Sequence, residues 1–228
     1  MNQIRNFGDQ RQAAFCAYCG GSTETRDHVP SKVLLDEPYP TNLPVVPACG
    51  VCNRGFSPDE EYLACLIECT LAGSAEPSDV PRAKVKRILE RTPALAPRLS
   101  QARCVDHTGT SFQIESERVR EVVLKLARGH AAFELNEPQM DHPSQIGFVP
   151  LDLMTAEARE AFETPPRSLI WPEVGSRAMH RLLVSDPGAS SWLVVQPGRY
   201  RYLTAVGDSV VVRGVVGEYL AYEVTWHD

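Results

Sequence analysis

Apolar positions in the first part of the chain come in short runs cut by glycine and proline, a pattern of small elements rather than long ones. GGSTETRDHVP predicts a turn and then a short strand ending at Asp27-His28, where Pro30 limits regular pairing. NLPVVP predicts a second short apolar strand beginning at Asn42. ACGVCNRGFS reads as one or two helical turns, which place Cys49, Cys52 and Asn53 at i, i+3 and i+4 on one face. A longer helix should follow, with Ser57 as its cap, Pro58 at the first helical position and Glu60 three residues beyond the cap. It runs on through EEYLACLIEC.

Downstream the pattern changes twice. Ser74 to Arg103 is rich in Pro, Ser, Ala and Arg and reads as a linker carrying one short helix, AKVKRILER, interrupted by TPALAP. ESERVREVVLKLARGHAAFEL then repeats apolar Val119, Val122, Val123 and Leu126 at helical spacing, with Gly129 as a break. After Pro143 the runs become short and strand-like: IGFVPL, SLIW, SWLVVQ, RYRYLTAV, SVVVRGVV and EYLAYEVTW. Turn signals between several of them suggest an antiparallel meander of about four strands. The fold class expected is α+β, in three regions: 1–73, a linker at 74–103, and an α+β region at 104–228 of unassigned role.

Composition adds limits. The chain has 228 residues and is 43% hydrophobic and 23% charged, which suits a globular protein with a real core. No apolar run approaches the roughly 18 residues that a membrane helix needs, and MNQIRNFGDQRQ lacks an apolar signal core. A cytoplasmic protein with no membrane partner is expected. The net charge of −6 argues against coating nucleic acid by electrostatics alone, though not against local phosphate contacts. Arg82, Lys84, Lys86, Arg87, Arg91, Arg98 and Arg103 face one acid, Glu90, over a short stretch. That basic run reads either as a solvated helix face or as a phosphate contact.

Four of the seven cysteines form two C-x-x-C pairs, Cys16/Cys19 and Cys49/Cys52. Paired thiolates at this spacing suit a tetrahedral four-cysteine zinc site, which has no open position and is therefore structural. Cys65, Cys69 and Cys104 read as small buried apolar residues.

Taken together and in order, C-x-x-C, Asp-His-Val, a later Asn, and C-x-x-C-Asn-Arg-Gly resemble the HNH endonucleases, the zinc-stapled branch of the ββα-metal nucleases. The resemblance covers about residues 15 to 62. It implies a small ββα-metal core with a four-cysteine zinc site, followed here by a helix-plus-antiparallel-sheet region. It implies that His28 is the general base, Asp27 and Asn53 are ligands of a catalytic divalent ion, and Asn42 helps hold the His-bearing loop. Other members carry His where this chain has Asn53. An oxygen donor there suits Mg2+ or Mn2+, while imidazole favours softer ions.

The chemistry fits these residue types. Phosphodiester hydrolysis needs a deprotonated water and positive charge where the leaving oxygen develops. An imidazole titrating near neutrality suits the first task, and hard oxygens holding a divalent ion suit the second. Arg54, and less strongly Lys32, are candidates for holding a phosphate oxygen; the alternative for Arg54 is an ion pair with Asp59 or Glu60. The expected activity is metal-dependent cleavage of DNA, leaving 5′-phosphate and 3′-hydroxyl ends as the family does. RNA, branched nucleic acid, nicking and a homodimer remain open. The competing reading is a zinc-stapled nucleic-acid or protein-binding module without catalysis. In RYRYLTAV, Tyr200 and Tyr202 on one face and Arg199 and Arg201 on the other read as a stacking or phosphate surface, or as an exposed hairpin. No chemistry is assigned to His107, His130, His142, His180 or His227.

Overall fold

The computed structural model describes residues 14–107, 109–166, 171–185 and 190–227. It is a mixed helix and sheet structure. The chain divides into two compact units, the described residues of Met1–Gly55 with Val123–Asp228, and Phe56–Val122. The boundaries expected from the sequence pattern, at 73 and 103, differ from these.

The first unit begins with a knuckle around Cys16 and Cys19. Strand β1 (Thr25–His28) follows and pairs antiparallel with β2 (Val45–Ala48), His28 opposite Val45 and Asp27 opposite Val46. β2 starts later than expected, because Asn42 sits in an exposed turn and Pro44 precedes the first paired residue. Helix α1 (Gly50–Gly55) closes this segment.

The same unit contains the later part of α5 (Ser116–Leu135) and a five-stranded antiparallel sheet. Its strands are β5 (Gln145–Pro150), β6 (Leu193–Gln196), β7 (Tyr200–Val206), β8 (Ser209–Val216) and β9 (Leu220–His227), in the order β5-β9-β8-β7-β6. The expected meander is therefore β6 to β9, with β5 added at the far edge. Of SLIW, residues 168–170 lie outside the described residues, and Trp171 is not in a strand. Helices α6 (Ala156–Glu163) and α7 (Arg177–Val184) had no expectation attached. Each is capped by a hydroxyl, Thr155 and Ser176, that accepts a helix N–H.

The two faces of the sheet differ. On one, Tyr200, Tyr202 and Tyr222 are buried, and Tyr200 and Tyr202 meet α5: His130 Nε2 lies 2.7 Å from Tyr200 Oη, and Tyr202 donates to Glu134. Gly214 makes room for this layer, since a Cβ there would lie 2.3 Å from the Tyr222 ring. On the other face Leu151, Phe162, Val215 and Ala221 form an apolar cluster, and Arg201 pairs with Glu163 at 2.7 Å. Both expectations for RYRYLTAV are overturned: the tyrosines are core residues whose hydroxyls find partners inside.

Gly129 does not break α5. The helix needs a glycine there because it packs on Val29, whose Cγ2 would lie 2.6 Å from an added Cβ.

The second unit contains α2 (Ser57–Ala72), α3 (Ala83–Arg91), α4 (Leu95–Ala102), a hairpin of β3 (Arg103–Asp106) with β4 (Gly109–Phe112), and the first turns of α5. Ser57 is not the cap of α2. Phe56 takes that place in a helical conformation, and its carbonyl accepts the N–H groups of Asp59 and Glu60. The stretch expected to be a linker is packed, with Val85, Ile88, Leu89, Leu95 and Leu99 buried. TPALAP is only a brief interruption, because Pro97 falls in the first turn of α4, where its missing N–H costs nothing. Much of the basic run is ion-paired: Arg82 with buried Glu68, Arg91 with Glu61, and Arg98 with Glu115. Cys65 and Cys69 are buried as expected, and burial pushes both thiols up to about 12. Cys104 is exposed on β3, all four residues of which are exposed.

Candidate functional site

The knuckle and α1 bring the two cysteine pairs together. The sulfurs of Cys16, Cys19, Cys49 and Cys52 all lie within 4.8 Å of one another, and Cys19 Sγ is 3.8 Å from Cys49 Sγ. Thiolates held about 2.3 Å from a tetrahedral zinc would stand about 3.8 Å apart, so the cluster has dimensions compatible with that ion. The backbone N–H of Cys52 donates to Cys49 Sγ at 3.3 Å. This hydrogen bond to the thiolate brings the Cys49 thiol down to about 7, whereas burial raises that of Cys52.

Asn53 follows the last cysteine, and its side chain is anchored on β1. Its Nδ2 donates to Thr25 Oγ1 at 3.0 Å and to Arg26 O at 3.3 Å. A carbonyl can only accept, so the second bond fixes which end of the amide faces the strand. Oδ1 is the end left over. Residues alternate along a strand, so Thr25 and Asp27 share a face, and Asn53 sits on it.

Asp27 is part-buried, and one of its oxygens is fully engaged. Tyr18, between the first two cysteines, donates its hydroxyl to Asp27 Oδ2 at 2.7 Å. Lys125 Nζ, from α5, lies 2.8 Å from the same oxygen. The ammonium also donates to Ser31 Oγ at 2.7 Å and to His28 O at 3.3 Å. No hydrogen bond engages Asp27 Oδ1 among the described residues. Arg128, one helical turn beyond Lys125, donates to Tyr18 O at 3.1 Å.

His28 closes β1, and the chain bends at Val29 and Pro30 directly after it. The ring is half-buried. Its Nδ1 is enclosed and has no hydrogen-bond partner among the described residues. Burial lowers the pKa of this imidazole, the charges of Lys32 and Lys125 lower it further, and Asp27 opposes them. The result is a ring held neutral near neutral pH.

The remaining expected residues are more peripheral. Asn42 is exposed, and no hydrogen bond ties it to the His28 loop among the described residues. That loop is held by another route: Asp36 exchanges hydrogen bonds with Gln196 at 2.8 and 3.0 Å and pairs with Arg199 at 2.5 Å. Lys32 lies 5.4 Å from the centre of the Tyr39 ring. Arg54 is exposed and makes no ion pair among the described residues, while Asp59 is bonded to Arg118. The guanidinium of Arg54 instead folds back beside Gly50 and Glu24.

Tyr18, Lys125, Arg128 and Asp36 were not anticipated. The one local signal was Lys125 itself, a charge inside the apolar run Val122–Ala127 of an amphipathic helix. No protein-family model, curated protein or solved structure matches this chain. No helix among the described residues is long and apolar enough to cross a membrane.

Proposed function

We propose that the chain is a metal-dependent endonuclease of HNH type that hydrolyses phosphodiester bonds in DNA. One observation carries the reading: a strand ending in Asp27-His28 is tied, through Asn53, to a short helix that shares its four-cysteine cluster with the strand's own entry loop.

The donor set fits a hard divalent ion such as Mg2+ or Mn2+. Among the described residues, no protein hydrogen bond engages Asp27 Oδ1 or Asn53 Oδ1, two oxygen donors. Such an ion, when bound, supplies positive charge to the phosphate and leaving oxygen. His28 takes the proton of the attacking water, a task for which a neutral imidazole is ready. Asp27 and Asn53 hold the ion, and the zinc staple keeps the Asn53 helix in register with β1. Arg54 and Lys32 are the cations that this reading assigns to phosphate oxygens.

The deciding experiment is cleavage of supercoiled plasmid, linear duplex, single strands and RNA under Mg2+, Mn2+ and EDTA. Wild-type protein should cut in a metal-dependent way, and His28→Ala should not, while retaining zinc and a cooperative thermal transition. Persistent cleavage by that variant under the same conditions removes the assignment.

A second reading has one observation in its favour. Asp27 already has a cation in Lys125, as the carboxylate of a purely structural ion pair would. In that case the chain is a zinc-stapled binding module, and Asp27, His28 and Asn53 are dispensable for its binding activity.

A further inference from the structure

The Asp27–Lys125 pair sets the charge of the candidate centre. Lys125 lies in the apolar run of α5, and its side chain is fully enclosed. An ammonium has three N–H donors, and the acceptors around it include Asp27 Oδ2, Ser31 Oγ and His28 O. A buried charge persists only when paired and hydrogen-bonded in this way. The same carboxylate is the only anionic group among the three candidate side chains Asp27, His28 and Asn53. Its negative charge and the ammonium therefore sum to zero.

A divalent ion arriving alone loses hydration and meets one carboxylate oxygen, one amide oxygen and a fixed positive charge on the carboxylate's other oxygen. Little net attraction offsets the loss. A phosphodiester brings one further negative charge and an oxygen donor. We propose that Lys125 makes divalent-ion binding at Asp27 conditional on nucleic acid, so that the ion and the scissile phosphate enter together. The inference rests on the reading of Asp27 and Asn53 as ion donors. Lys125 is a positioning residue in this scheme: it holds Asp27 Oδ2, leaves Oδ1 to the ion, and sets the charge that the ion meets.

The test uses full-length, zinc-loaded protein in a His28→Ala background, so that DNA stays uncut. Free Mn2+ is followed by its electron paramagnetic resonance signal, with and without a short duplex, after subtracting the ion bound by duplex alone. The duplex should tighten Mn2+ binding by about tenfold or more, within the usual range for coupled sites. Lys125→Met, close in volume but uncharged, should bind Mn2+ about tenfold more tightly without DNA and lose most of the gain on adding it. Lys125→Arg, which keeps the charge, should resemble the parent.

Equal Mn2+ affinity with and without duplex in the parent overturns the proposal, and this arm stands even if Lys125→Met fails to fold. Equal affinity of Lys125→Met and the parent also overturns it. Asp27→Asn separates the two levels. Binding that is sensitive to Asp27→Asn but insensitive to Lys125 rejects only the role of the lysine. Binding insensitive to Asp27→Asn in every background rejects the ion site and the proposal with it.

Discussion

The hydroxyl of Tyr18 lies 2.7 Å from Asp27 Oδ2, so a residue inside the first cysteine knuckle holds the acid of the candidate centre. Tyr18 is buried, and its backbone carbonyl is held in turn by Arg128. The four-cysteine cluster, the knuckle, Tyr18 and Asp27 are thereby linked in one mechanical series. Tyr18→Phe removes only the hydroxyl. Lys125 still satisfies Asp27 Oδ2, so the stability loss should be about 1.5–3 kcal/mol, as for one hydrogen bond to a charged group. Cleavage should fall more than that loss explains, because Asp27 gains freedom. Urea unfolding and plasmid cleavage on the same preparation check both parts.

One zinc per chain is expected from elemental analysis of protein made without added metal. Cys52→Ser should lower zinc content and melting temperature together, since a structural zinc contributes directly to folding. Acid should release the ion, because protons compete for thiolates. A chromogenic chelator titrated against pH follows that release.

In the proposed nuclease, the pH profile of cleavage should follow from His28. Its folded pKa lies below the ordinary 6.5. The base therefore stays neutral to lower pH than a free imidazole, and the acidic limb of the rate should have its midpoint below about 6.5. The sign for stability agrees. A histidine kept neutral by burial contributes stability above its unfolded pKa, and that contribution is lost as pH falls through the lower folded value. Rates and melting temperatures measured across pH 5 to 8 test both.

Gly129→Ala sets two effects against each other. Alanine favours a helix by about 1 kcal/mol over glycine. Against that, the new Cβ would lie 2.6 Å from Val29 Cγ2 and 3.0 Å from Cγ1, on a β-branched side chain with little freedom to turn aside. Overpacking costs about 1–3 kcal/mol, so the net change should be destabilising. Val29→Ala in the same chain should recover part of it. Thermal melts of the two single variants and the double variant decide the matter.

Thiol labelling should separate the cysteines outside the cluster. Cys104 is exposed and should react with maleimide at once. Cys65 and Cys69, buried and with thiols pushed up to about 12, should react only on unfolding. Mass spectrometry of zinc-loaded protein over a urea series reads this directly.

The elements that carry the candidate site were legible because their signals are local. The C-x-x-C pairs, the Asp-His step before Pro30 and the i, i+3, i+4 spacing from Cys49 to Asn53 each fall within a few residues. The strand runs after Pro143 other than SLIW were legible for the same reason. What supports the site was hidden because it comes from far along the chain: 97 residues separate His28 from Lys125, and 160 separate Asp36 from Gln196. Gly129 was misread on propensity alone, since nothing near it in sequence shows that Val29 occupies the space of its missing side chain. The tyrosines of RYRYLTAV alternate as expected, but alternation does not say which face a helix will cover.

The separation between Asp27 and Lys125 also has a meaning for the nascent protein. Translation delivers the acid, the histidine and all four sulfurs of the cluster long before the lysine emerges. Until α5 has been made and docked, the carboxylate lacks its neutralising cation and Val29 lacks the glycine it packs against. Ribosome-bound or prematurely terminated chains would thus carry the complete motif without the ion pair that surrounds it in the folded protein.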